Sequence, residues 1–177
     1  KEYEVEVAPP VLPYKEDNTF ILLRYIRGRN AREVLTEKSL IEKVYGSIGT
    51  TLKEIYSVPV PGFGKFWRDK NITWTDFVEE KFNERLTPRI DRTLVDGIRR
   101  IYKQSEDDIE IDGREGPVLI HRDTYTDNFI IEEGAGKAVL IDFAMAIVGS
   151  QFYDLATFYV LDLVKEPEGQ EPFLRAL

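Results

Sequence analysis

Several polar residues stand at the ends of short apolar runs in the last third of the chain, and their types suit chemistry on oxygen. His121, Arg122 and Asp123 follow Val118-Leu119-Ile120, Asn128 precedes Phe129-Ile130-Ile131, and Asp142 follows Ala138-Val139-Leu140-Ile141. A carboxylate such as Asp123 can orient a hydroxyl and receive its proton. A second carboxylate, Asp142, together with the carbonyl oxygen of Asn128, supplies the hard oxygen donors that Mg²⁺ prefers. The amide hydrogens of Asn128 then remain to hold the loop beside Asp123. With one histidine and no cysteine in the chain, a zinc centre is disfavoured. His121 reads as a packed ring bonded to the backbone of its own loop, and Asp127 as a solvated loop residue.

Strand ends must converge for these groups to share a cleft. The turn Glu132-Glu133-Gly134-Ala135-Gly136-Lys137 joins two of the apolar runs and predicts a β-hairpin. Earlier in the chain, Glu4-Val5-Glu6-Val7 and the run from Phe20 to Ile26 read as two further strands. From Ile41 onward, Val44, Tyr45, Ile48, Leu52, Ile55 and Tyr56 recur at helical spacing until Val58-Pro59, with Gly46 and Gly49 as weak points. Thr73-Trp74-Thr75-Asp76 has the capping-box spacing that opens a second helix. A third starts near Pro88 and carries Ile90, Leu94, Ile98, Ile101 and Tyr102 on one face. The acidic stretch from Gln104 to Gly116 reads as a surface connection. A last helix from about Tyr153 to Val164 has Leu155, Ala156, Phe158, Tyr159 and Leu163 to bury. The fold class is α+β.

The 177 residues suffice for one main globular unit, with 42% hydrophobic and 32% charged residues. A formal charge of −8 opposes attraction to nucleic acid or an anionic lipid surface. No apolar run approaches the roughly 18 residues of a membrane span. The absence of cysteine fits a reducing compartment, so the expected location is cytoplasmic. The aromatic residues Phe63, Phe66, Trp67, Trp74 and Phe77 read first as packing material, and Glu79, Glu80 and Glu84 as a solvated helix face.

The segment His121-Arg122-Asp123-Thr124-Tyr125-Thr126-Asp127-Asn128 matches the kinase pattern of H-R-D, four residues and Asn. Fourteen residues after Asn128, Ile141-Asp142-Phe143 resembles the kinase metal-binding motif. Joined by a hairpin, the two motifs make the sequence resemble the aminoglycoside phosphotransferase and choline kinase family. That resemblance implies a protein-kinase-like fold. Residues 28–177 would form a mainly helical carboxy-terminal lobe with a catalytic β-hairpin, and residues 1–27 a remnant of the amino-terminal lobe and its hinge. It implies Asp123 as the catalytic residue, Mg²⁺ on Asn128 and Asp142, and ATP or GTP as co-substrate. It also implies, as acceptor, the hydroxyl of a small polar molecule such as an amino alcohol, a sugar or an aminoglycoside-like compound. Phe20 to Gly28 resembles the hinge, where Arg24, Tyr25 and Ile26 would meet the nucleotide together with Asn128. Tyr153-Asp154-Leu155-Ala156 resembles the segment whose aspartate braces the loop without touching substrate.

Only 11 positions separate Asp142 from Tyr153, too few for a peptide kinase's activation loop, and Ala144 replaces the glycine of Asp-Phe-Gly. The sequence contains no nucleotide-covering glycine loop and no strand lysine, so it reads as a partial amino-terminal lobe. Val5, Val7, Ile21 and Leu23 would then leave sheet edges uncovered, which favours self-association. A non-catalytic nucleotide-binding or interaction module is the alternative reading of the same departure.

Overall fold

The structure, a computed structural model, describes residues 8–11, 22–64, 72–85 and 91–177. In chain order its elements begin with β1 (Gly28–Asn30), α1 (Ala31–Val34), α2 (Ile41–Tyr56), α3 (Trp74–Arg85), α4 (Arg92–Gln104) and α5 (Glu106–Arg114). They continue with β2 (Val118–Ile120), β3 (Phe129–Glu132), β4 (Ala138–Leu140), β5 (Ile147–Gly149), α6 (Gln151–Phe158) and α7 (Gln170–Ala176). The expected strand at Glu4–Val7 and the start of the Phe20 run lie outside the described residues. So do Pro88, Ile90, Phe66 and Trp67.

Two small antiparallel sheets deliver the polar residues. One has the strand order β1-β3-β4, with Phe129 opposite Leu140 and Asn30 opposite Ile130. The other pairs β2 with β5 and sets Ile120 opposite Ile147. The helical spacing from Ile41 to Ile55 becomes the buried face of α2, against which Phe129, Ala138, Leu140, Phe158 and Phe173 pack. Helix α2 also closes the outer edge of β4. The Ser47 hydroxyl accepts the Ala138 N–H at 2.7 Å, and the Thr51 hydroxyl donates to the Ala138 carbonyl at 2.6 Å. Placed one helical turn apart, these two hydroxyls satisfy both backbone groups of a residue that no further strand pairs among the described residues.

A second cluster joins Trp74, Phe77, Ile120 and Ile147, with Phe63 packed against it, so these aromatics are core material as expected. Thr73 and Asp76 make the reciprocal bonds of a capping box at the start of α3. The stretch from Gln104 to Gly116, read from sequence as a surface connection, contains helix α5 instead. Ser105 precedes three acidic residues in its first turn, and its Asp112 accepts from Trp74 Nε1 at 2.9 Å and from the Ser150 hydroxyl. The face expected on the third helix is only partly used: Phe82 stacks on Tyr102, whereas Leu94 and Ile101 are exposed. Strand β5 was not anticipated. The helix expected from Tyr153 begins at Gln151, two residues earlier, and is not the last, since α7 follows it; Ala156 and Tyr159 face solvent instead of the core.

Helices α2 and α7 approach closely at Gly49, where an added Cβ would lie 2.6 Å from the Phe173 carbonyl oxygen. At Gly46 the nearest atom would be the Pro172 carbonyl oxygen at 3.8 Å, an ordinary contact. Alanine in place of glycine in a helix interior normally gains about 0.5–1 kcal/mol, whereas overpacking costs about 1–3 kcal/mol. Gly46→Ala should therefore raise stability and Gly49→Ala lower it. Urea unfolding of both variants checks this, and equal effects would contradict the α2–α7 contact.

Candidate active site

The loop after β2 is suspended from a buried carboxylate. Ser150 caps α6 by accepting the Phe152 N–H, and the first turn of α6 places Asp154 under the loop, fully buried. Asp154 accepts the His121 and Arg122 backbone N–H groups, each at 2.7 Å, and its own carbonyl accepts the Thr124 hydroxyl at 3.0 Å. Burial pushes the Asp154 carboxyl up to about 6, while these two N–H donors pull in the other direction. The grip also holds Arg122 at φ 70°, a left-handed conformation that costs a branched or long residue on the order of 1–2 kcal/mol.

Asn128 then ties the loop to the hairpin. Its Nδ2 donates to the Asp123 carbonyl at 2.7 Å and to the Asp123 carboxylate at 3.0 Å. Its backbone carbonyl accepts the Ile141 N–H at 2.9 Å, extending the β3–β4 register by one residue and placing Asp142 next along the chain. Asp142 adopts φ 63° and caps a short 3-10 turn, Phe143–Met145, with its carboxylate exposed. The site thus gathers the Asp123 carboxylate, the Asn128 side chain and the start of the Asp142 segment. Among the described residues, Asn128 Oδ1 has no hydrogen-bond partner.

Two further anchors come from elements outside the motif. Asp162 accepts the Thr126 N–H at 3.2 Å and the Thr126 hydroxyl at 2.7 Å. Asp127 is not merely solvated: its carboxylate pairs with Arg32 at 2.7 Å, and its carbonyl accepts Asn30 Nδ2 at 2.6 Å. Asn30 also caps α1 by accepting the Arg32 N–H at 2.9 Å. Nothing in the local sequence marks Asn30, Arg32 or Asp162 as partners of the loop. Their contacts span 97, 95 and 36 positions respectively.

His121 is buried, and its ring bonds the hairpin: Nε2 lies 2.9 Å from the Ile141 carbonyl, and the Phe143 ring meets it edge-on. A carbonyl only accepts, so Nε2 carries the proton. Nδ1 keeps a buried lone pair without a partner. Burial lowers the His121 pKa below 6.5, against opposing effects of the Ile141 carbonyl, Asp123 and Asp142. The ring is neutral packing between loop and hairpin.

Of the nucleotide residues read from the hinge, Arg24 donates its N–H to Pro10 at 3.0 Å, Ile26 is half-buried and Tyr25 is exposed. The Arg24 carbonyl and the Ile26 N–H have no partner among the described residues. Tyr25 lines a cavity of about 370 Å³ together with Val34, Lys43, Val44 and Ile131. Neither Asp123, Asn128 nor Asp142 lines it.

A family model described as the phosphotransferase enzyme family matches residues 4–177. The chain belongs to that family. No curated protein sequence matches it. Among solved structures, it is similar to choline kinase LicA from Streptococcus pneumoniae, with TM-score 0.65, 15% identity, and coverage of 97% of this chain and 57% of that one. A choline/ethanolamine kinase family protein from Mesorhizobium loti gives TM-score 0.63 at 14% identity, covering 97% and 54%. Aminoglycoside phosphotransferase APH(3'')-Id from Streptomyces rimosus gives 0.59 at 13% identity, covering 88% and 62%. The shared fold is the protein-kinase-like α+β fold, and the chain spans somewhat over half the length of these phosphotransferase-family structures. Within this phosphotransferase-family chain, no helix among the described residues is long and apolar enough to cross a membrane.

Stability should carry the mark of the neutral His121 ring. Because its folded pKa is depressed, the stability it contributes is present above pH 6.5 and is lost as pH falls below that value. Asp154 has the opposite sign, since its folded pKa is raised from 3.8 to about 6: its contribution is present below 3.8 and lost as pH rises through about 6. Comparing variants separates the two. The stability gap between the native protein and His121→Asn should narrow from pH 7 to pH 5 in denaturant titrations, and a constant gap would contradict a neutral buried ring.

Proposed function

We propose that the protein carrying this chain is a small-molecule kinase. It transfers the γ-phosphoryl group of ATP or GTP to a hydroxyl of a small polar acceptor, an amino alcohol, a sugar or an aminoglycoside-like compound. The observation that carries this reading is the Asn128 side chain. Its amide holds the Asp123 carboxylate at 3.0 Å, while its backbone carbonyl is bonded to Ile141, the residue before Asp142.

Asp123 is the catalytic residue. One of its carboxylate oxygens accepts from Asn128, and the other, without a partner among the described residues, orients the acceptor hydroxyl and takes its proton. The neutral, packed His121 has no part in that transfer. Asn128 Oδ1 and the exposed Asp142 carboxylate are the residues that would hold Mg²⁺. Among the described residues no group of three or more His, Cys, Asp and Glu forms a metal cage. A pair of oxygen donors suits this ion, which keeps waters and takes its remaining ligands from substrate phosphates. When bound, it neutralises charge on the phosphates during transfer. The Arg24 carbonyl and Ile26 N–H, without a partner among the described residues, support a seat for the nucleotide base at the hinge, with Tyr25 alongside. The Arg27 carbonyl, which accepts from Glu133, supports a lobe boundary near residues 27 and 28. A nucleoside triphosphate co-substrate and a chain without cysteine fit a cytoplasmic setting.

Phosphoryl transfer from ATP and from GTP, each with Mg²⁺, to choline, ethanolamine and gentamicin tests the reading in the intact protein. Asp123→Asn should lower turnover by a factor of about 10² or more and leave nucleotide affinity within a few-fold. Normal turnover in this variant would remove Asp123 from its assigned role.

A further inference from the structure

Helix α6 does not continue regularly beyond Phe158. Residues Tyr159–Leu163 form a π turn, in which the Val164 N–H donates to the Tyr159 carbonyl five residues back, at 2.9 Å. Asp154 and Asp162 stand eight residues apart, and on a regular α-helix their side chains would diverge by about 80°. The wider turn takes up an extra residue and removes most of that offset. Both carboxylates consequently face the loop, Asp154 at its start and Asp162 at Thr126.

We infer that Asp162 is a positioning residue for the catalytic loop, set beneath it by the π turn. The inference rests on the kinase reading of that loop. Asp162 is 7% exposed and forms no ion pair among the described residues, and burying a carboxylate costs several kcal/mol unless its oxygens are satisfied. Both oxygens are committed to Thr126: Oδ1 accepts the hydroxyl and Oδ2 the backbone N–H. The Thr126 carbonyl in turn accepts the Phe129 N–H, closing the short turn that contains Asn128. The carboxylate thus fixes Thr126, and Thr126 fixes the start of β3 on either side of Asn128. Asp162 also lines a polar cavity of about 280 Å³ with Arg32, Tyr45, Lys165 and Glu166, but its oxygens are turned to the loop. The Asn30 bond to Asp127 holds the same turn.

Asp162→Asn retains the shape but removes the charge and one acceptor, so the Thr126 N–H and hydroxyl no longer both donate to it. The test uses the intact protein, with ATP and Mg²⁺ and whichever of choline, ethanolamine and gentamicin the native protein phosphorylates. The expected result is a kcat reduced about ten-fold, about 1.4 kcal/mol, with KM for ATP and for the acceptor within about two-fold. Hydrogen exchange should quicken at Thr126, Asp127 and Asn128, and Thr126→Ser should behave as native while Thr126→Val reproduces the Asp162→Asn effect. Leu163→Val, a buried neighbour of Asp162 that makes no bond to the loop, is the control for simple destabilisation. A raised acceptor KM at unchanged kcat would make Asp162 a ligand contact and overturn the inference. The same loop exchange in Leu163→Val would also overturn it, as would unaltered exchange in Asp162→Asn. If the native protein phosphorylates no acceptor, the kinase reading fails, and the exchange data still decide whether Asp162 holds the loop.

Discussion

The pairing of β3 with β4 is the constraint on which the site depends. With Phe129 opposite Leu140, the next backbone bond joins Asn128 to Ile141, and the polar groups at both strand ends emerge together. A slip of one residue would exchange the faces of the strand, sending Asn128 away from Asp123 and Phe129 out of the core. The register is held from both sides. Phe129, Ala138 and Leu140 are buried against α2, and the Ser47 and Thr51 hydroxyls cap both backbone groups of Ala138. Helix α2, 16 residues long, thereby acts as a template for strands of four and three residues.

Conformational strain is concentrated where that template meets the loop. The two non-glycine residues with positive φ among the described residues are Arg122, next to Asp123 in the chain, and Asp142, two residues beyond β4. Each needs support that over-determines it. Arg122 is held by the Asp154 carboxylate, while Asp142 directs its own side chain at the N–H of Ala144. The loop after Arg122 is bonded at Thr124 to α6, at Thr126 to the π turn that continues it and at Asp127 to α1, and its polar groups are therefore pre-placed before any ligand arrives.

Much of this was legible in the sequence where a signal was local. The 3.6-residue spacing from Ile41 to Ile55, the hairpin turn at Glu132 to Lys137 and the Thr73–Asp76 box each state their structure within a few residues. The order of His121, Asp123, Asn128 and Asp142 specified the constellation. What escaped the sequence lies in contacts between distant positions. Helix α5 is so acidic that its pattern reads as a solvated link, and only Trp74 and Ser150 reveal the use of Asp112. Strand β5 is three residues long and exists because β2 and Gly64 pair with it. Ala156 and Tyr159 fit the apolar count of a helix, but the α6 face that meets the core is the one carrying Asp154 and Phe158. The π turn that brings Asp162 into line leaves no compositional trace.

The central claim is that the hairpin register unites Asn128 and Asp142 as the oxygen donors of a Mg²⁺–nucleotide site beside Asp123. Calorimetric titration of ATP into the intact protein, with and without Mg²⁺, tests it most directly when the native protein is compared with Asp142→Ala. The account predicts that Mg²⁺ strengthens ATP binding to the native protein by about ten-fold or more and that Asp142→Ala abolishes this gain. An Asp142→Ala protein whose ATP affinity still responds fully to Mg²⁺ would contradict it.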